Sequence, residues 1–335
     1  MVLIGFKANS LINRMKSRCL ILGLLLLLPP QVFSWGFFAH QRINRLAVFT
    51  LPPEMIGFYK QHLAYLTENA VNPDKRRYML PQEGPRHFID LDMYGDSAAL
   101  KLPRTWQAAL TQYTEDSLLK HGIVPWHINR VKNQLTEAFK QHDQLRILQI
   151  SADLGHYVAD ACVPLHTTHN YNGQFTNQRG IHGLWESRLP ELLSNQYDFL
   201  VGPAQYINQP QVQAWKIVQR SNAALDSVFR FEKEVSARFS ADKKYAFEER
   251  GGTTVKVYAA AFSKAYHQRL NGQVERQMRL AIKLVGSYWY TSWVDAGQPD
   301  LRNLQPLTET QKKLLLEEKQ QLKPVLTPER PHEAF

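Results

Sequence analysis

The stretch His156-Tyr-Val-Ala-Asp160-Ala-Cys-Val-Pro-Leu-His166, followed by His182-Gly-Leu-Trp-Glu186, limits what this chain can fold into more than any other feature. His156 and Asp160 are four residues apart, and so are His182 and Glu186. On a helix that spacing puts both side chains on one face, one turn apart. Pro164 ends the first helix and leaves His166 on a turn just past it. A single pair of this kind is ordinarily a surface ion pair. Two pairs, joined by a proline-ended turn that carries a further histidine, predict a metal centre built on helices. Upstream, Arg86-His87-Phe-Ile-Asp90-Leu-Asp92 sets a histidine beside two carboxylates, and Asp74 follows the turn-like dipeptide Asn72-Pro73. Of the twelve histidines, seven lie between His121 and His182.

The rest of the chain reads as helix. Val274, Met278, Ala281, Ile282, Val285 and Trp289 form one apolar stripe at helical spacing, inside a segment from about Val255 to Trp293. Leu145, Leu148, Ile150, Ala152, Leu154 and Val158 predict a second helix, buried on most sides. Further helices are expected over Thr105–Lys120, Ile128–His142 and Gln211–Phe239, strand signals are scarce, and Gly251-Gly252 marks a break. From about Thr308 the chain turns charged and proline-bearing, which predicts a helix and then a loose tail. The expectation is an all-α fold: a signal segment over residues 1–34, a single multi-helix domain over 35–304 and a charged tail over 305–335.

The first residues carry Lys7, Arg14, Lys16 and Arg18, then a leucine-rich run from Leu20 to Leu28, then Pro29-Pro30 and Val32-Phe33-Ser34. That order predicts a secretory signal peptide, with synthesis starting at Met1 or Met15. The run is shorter than the roughly 20 residues of a membrane span, so no transmembrane anchor is expected in the mature chain. Cleavage after Ser34 makes Trp35 the first mature residue and the protein periplasmic or secreted. Cys19 leaves with the signal, so Cys162 is the one thiol kept, and no internal disulfide is expected. Cys162 is expected to be buried and inert.

Hydrophobic residues make up 44% of the chain, which excludes wholesale disorder. Of the net charge of +10, four positive charges belong to the signal region and +6 remain. That balance suits anionic substrates. No dense lysine and arginine stripe argues for duplex DNA.

Taken together, these motifs resemble those of the zinc-dependent phospholipase C and S1/P1 nuclease superfamily. The likeness runs from Trp35 to about Glu186 and more loosely beyond. It implies an all-α zinc-dependent hydrolase of phosphate esters that holds three zinc ions. By resemblance, the amino nitrogen and carbonyl oxygen of Trp35 bind one zinc with His40. Asp160 bridges that zinc to a second, whose other ligands are Asp74, His87 and His156. His166, His182 and Glu186 bind the third. A bridging carboxylate suits a metal pair about 3.5–4 Å apart, the spacing that clamps a phosphoryl group. The donors are nitrogen and oxygen without thiolate, as in catalytic sites. Asp74 is also the expected water-activating residue. Asp90 and Asp92 are candidates to orient histidines, or simply to form turns. Lys75, Arg76, His169 and Tyr171 are candidates to meet substrate, and Asn172 shares the loop of the last two.

Within the superfamily the signals divide. The short spacing of Trp35-Gly-Phe-Phe-Ala-His40 resembles the nuclease branch. The short gap from His166 to His182, the closing Glu186 and His87-Phe-Ile-Asp90-Leu-Asp92 resemble the phospholipase C branch, and the paired cysteines and Gly-Gly-Asn segment of nucleases are missing. Choline-preferring enzymes carry an acid three residues after the tryptophan and an aromatic after the site aspartate. Phe38 and Lys75 stand there instead, which removes the cage for a quaternary ammonium and favours an anionic head group or nucleotide phosphate. The leading expectation is a phospholipase C-like phosphodiesterase with no stable protein partner. The alternative is a single-strand nuclease or nucleotidase, with Phe175, Tyr171 and Trp126 as stacking aromatics. A third reading, a zinc-stabilised binding protein without catalysis, is opposed by the intact Asp74.

Overall fold

The computed structural model describes residues 37–77, 79–250, 252–304 and 307–322. The predicted signal segment, Trp35 and the last thirteen residues of the tail lie outside these. The described chain is mostly helical, and the strands among the described residues form one two-stranded hairpin. The helices that position the site are α1 (Phe37–Ala47), the short α2 (Asn72–Arg76), α3 (Val124–Lys140) and α4 (Gln144–Ala161). They are followed by α5 (Pro210–Ala223), α6 (Leu225–Ser236), α7 (Ala260–Leu270), α8 (Gln273–Asp295) and α9 (Glu309–Gln321). Among the described residues, no helix is long and apolar enough to cross a membrane.

The core is organised around α4. Its N-cap Asp143 accepts from the amide of Arg146 at 3.1 Å, which answers one of the free donors of the first turn. Ile147, Leu148, Leu154 and Val158 are at most 1% exposed. Burial of such a side chain contributes roughly 1.5–3 kcal/mol, enough to offset placing His156 and Asp160 on the same buried helix. Helix α8 packs on α4, where Trp289 Nε1 donates to the Ser151 carbonyl at 2.9 Å. The predicted stripe of α8, from Val274 to Trp289, is buried throughout.

Close approach of α1 to α4 depends on Gly155. A Cβ there would overlap the Asn44 side-chain amide. With glycine, Asn44 reaches past it and donates to the Ala152 carbonyl at 3.1 Å. This crossing carries His40 to Asp160.

Three predicted helices are interrupted. The segment 105–120 is two helices, Trp106–Gln112 and Glu115–His121, because Thr105 and Thr114 each cap the next one through their hydroxyls. The segment 211–239 breaks at Ala224 between α5 and α6. The longest segment breaks at Asn271-Gly272, both in the left-handed region at φ 47° and 73°. Its start is strand rather than helix. The hairpin comprises β1 (Tyr245–Arg250) and β2 (Thr253–Tyr258), and β2 alternates Thr-Thr-Val-Lys-Val-Tyr in the manner of a strand. The chain divides into a small unit that includes the hairpin tip, Glu248–Val255, and a large one that contains every candidate metal ligand described.

Candidate metal centre

Local geometry explains the two helical pairs. His156 Nε2 lies 3.2 Å from Asp160 Oδ2 across one turn of α4. His182 stands on the helical turn Ile181–Gly183, and Glu186 on the π-helical turn Leu184–Arg188 that continues it. Their Nε2 and Oε1 atoms are 2.8 Å apart. Single π turns of this kind recur at functional sites.

The other ligand candidates reach α4 from elsewhere. His40, on α1, lies 3.2 Å from Asp160 Oδ1, and its ring stacks on His156 at 3.9 Å. His87 ends the turn Gly84–His87 and puts Nδ1 2.9 Å from Asp160 Oδ2 and 3.0 Å from His156 Nε2. Asp74, in the first turn of α2, lies 3.8 Å from both His87 Nδ1 and His156 Nε2. His166, on the turn Pro164–Thr167, sets Nε2 3.1 Å from His182 Nε2 and 3.2 Å from Glu186 Oε2. Two backbone bonds tie these segments together: Ile89 N donates to His166 O at 2.9 Å, and His166 Nδ1 donates to His87 O at 2.8 Å.

Three groups of donors result: His40, Asp74 and His156; His87, His156 and Asp160; and His166, His182 and Glu186. Within each, the ligand atoms lie within 4.8 Å of one another, and all eight residues are buried. The first two share His156 and so form one larger centre. The resemblance had drawn His40 toward Asp160 and Trp35; Asp74 also lies close to His40. Trp35 itself is outside the described residues.

The residues suit a divalent cation. His156 Nδ1 donates to the Ala70 carbonyl at 2.8 Å, and His166 Nδ1 donates to His87 O. A carbonyl can only accept, so in each neutral ring the Nε2 lone pair points into the cluster. Such lone pairs meet one another and three buried carboxylates, an arrangement that needs positive charge at its centre. Without a cation, protons supply it. Burial opposes the charge on His156, but Asp160 and Asp74 outweigh it and raise the imidazole to about 9. Burial would likewise raise Asp74, yet His156, Arg77 and His87 hold it below the ordinary carboxylate range. Asp160 is held well below that range against burial by His156 and His166.

The surrounding candidates separate. Asp92 accepts from Thr168 Oγ1 at 2.7 Å and from the His169 amide at 2.9 Å, and Asp90 accepts from His169 Nδ1 at 3.2 Å. They hold the loop that leaves His166. Tyr171 meets the His182 ring edge-on at 5.9 Å, and Asn172 accepts from the Gly180 amide at 2.9 Å. Phe175 is 68% exposed and stacks on His169 at 5.5 Å. Lys75 sits 5.7 Å over the Phe37 ring. Arg76 is tied to Asp153 at 2.6 Å, away from the ligand cluster. Trp126 is a core residue rather than a stacking platform: it is 4% exposed, and Nε1 donates to Pro103 O at 3.1 Å. Cys162 is buried, and burial pushes its thiol up to about 12.

Glu83 was not anticipated. It is fully buried, accepts from Arg86 at 2.7 Å and from the Tyr157 hydroxyl, and faces His87. The signal was present, since Glu83 precedes His87 by four residues.

The family model described as zinc dependent phospholipase C matches residues 39–249, a span that contains all eight of these donors. No curated protein matches the chain.

Proposed function

The chain belongs to the zinc-dependent phospholipase C family, and from that premise we propose an exported phosphodiesterase with three zinc ions, acting on phospholipids with an anionic head group. Membership carries the coarser conclusion, a zinc-dependent hydrolase of phosphate esters. The observation that supports the finer one is the convergence of eight buried nitrogen and oxygen donors in adjoining groups, with two imidazoles aimed inward by backbone carbonyls. Asp160 lies within 3.2 Å of His40, His87 and His156, which supports the reading that it would be shared between two of the ions. The amine of Trp35 would complete the set if the mature chain begins there.

Bound zinc supplies Lewis acidity toward a phosphoryl oxygen and lowers the pKa of water toward neutrality. The chain's own residues do the rest. Asp74 is kept ionised by His156 and Arg77 and can accept a proton from the attacking water at a carboxylate oxygen. Asp160 and Glu186 keep their histidines in register. Asp90 and Asp92 fix the loop bearing His169 and Tyr171 beside the cluster. Phe38 and Lys75, where choline-preferring relatives have an acid and an aromatic, support an anionic head group.

A second reading, nuclease or nucleotidase, is favoured by one observation: Phe175 is exposed and already stacked on His169, as a platform for a base would be. Zinc-loaded mature protein assayed on choline and inositol phospholipids, single-stranded DNA and RNA, and p-nitrophenyl phosphodiesters separates the two. Turnover of phospholipid without nucleic acid supports the first reading, and the reverse supports the second. Turnover of none would remove the catalytic proposal.

A further inference from the structure

A cavity of about 420 Å³ is walled by residues of α2, α3 and α4 and by the segment before His87. Its size is that of a small-molecule site. None of the eight metal-ligand candidates described lines it. Its polar wall is unevenly satisfied. Arg76 pairs with Asp153 at 2.6 Å and reaches Glu83 at 3.5 Å, and Arg86 pairs with Glu83 at 2.7 Å. Among the described residues, the side chains of His127 and Arg130 have neither a hydrogen bond nor an ion pair, although His127 is only 7% exposed. They are three apart on α3 and so share a face. Among the described residues, the His127 ring meets one other ring, in an edge approach to Tyr157 at 4.5 Å.

We propose that this cavity is a second ligand site, separate from the metal centre, which takes a small phosphate-type oxyanion between His127 and Arg130. Three guanidinium groups face two carboxylates across it, which leaves one positive charge without a partner. The His127 ring is largely buried, yet its nitrogens keep some access to solvent and so open onto the cavity, where an entering acceptor can take the place of water. A tetrahedral oxyanion can accept from the planar fork of Arg130 and from the imidazole together, and still has oxygens for Arg86. Burial, with Arg86 and Arg130 nearby, holds His127 neutral, so the ring keeps one N–H to donate.

The test titrates inorganic phosphate and, separately, glycerol 3-phosphate into zinc-loaded protein by calorimetry. Two classes of site are expected, because the metal centre also attracts phosphate. Arg130→Gln and His127→Gln should each weaken one class about tenfold or more, the scale of losing a hydrogen bond to a charged group, and leave the other class in place. Arg130 is exposed, so its variant keeps the test valid if the His127 variant folds poorly. Tighter binding of phosphate at the affected class assigns the site to the free anion, and tighter binding of glycerol 3-phosphate assigns it to an ester. A single class of site, two classes unmoved by both substitutions, or joint loss of both classes overturns the proposal.

Discussion

Glu83 Oε1 lies 3.8 Å from His87 Nε2, the ring nitrogen that points away from Asp160. That nitrogen is buried and has no hydrogen bond. The carboxylate is locked in place by Arg76, Arg86 and Tyr157. Glu83 therefore places a buried negative charge behind a ligand candidate, at a separation longer than a hydrogen bond.

Glu83→Gln is expected to leave Arg76 and Arg86 facing a neutral amide. Removing one member of a buried charge group costs about 3–5 kcal/mol, read as a lower midpoint in urea. The pH dependence follows in sign. Burial would raise the Glu83 carboxyl, but His87 and Arg76 hold its folded pKa below the unfolded value. Its stabilisation is thus present above the unfolded pKa and lost as pH falls through the folded one. Wild type should lose more stability than Glu83→Gln between pH 7 and pH 3. Equal losses would show that Glu83 contributes nothing through its charge.

Asp74→Asn and Asp160→Asn should differ. The first keeps shape and an oxygen but loses charge and basicity, so kcat should fall about 10²–10⁴-fold, the scale of a general base, with most zinc retained. The second should lose zinc along with activity, because an amide is a poor bridge between cations. Zinc content and kcat are measured on the same samples. Near-full activity in Asp74→Asn would end its role as the water-activating residue.

Chelation should lower the melting temperature and release up to three zinc ions per chain, since metal binds the folded state alone. Re-addition should release protons, because His156 keeps its proton to about 9 among the carboxylates of the metal-free cluster. Calorimetry in two buffers of different ionisation enthalpy measures that release. Residues added before Trp35 should cost one zinc, and mass spectrometry of exported protein should find Trp35 first.

Gly155→Ala tests the helix crossing. The new methyl meets Asn44, and forced overpacking costs about 1–3 kcal/mol. Because the crossing carries His40, zinc affinity should fall together with stability. A stability loss with unchanged zinc affinity would mean that α1 can shift without moving His40.

The sequence by itself determined what one helical turn can encode. His156 with Asp160, and His182 with Glu186, were legible as facing pairs because a helix repeats every 3.6 residues, whatever surrounds it. The stripe of α8 was legible for the same reason, and the order of the motifs carried the family. Tertiary structure decided which pairs share a centre. His40 stacks on His156 only because α1 and α4 meet at Gly155, and His87 joins His166 through backbone bonds between distant segments. It also decided that Trp126 is core, that Arg76 turns to Asp153, and that Glu83 faces His87. Such meetings depend on where helices cross and on what each crossing buries, and no local repeat carries that information.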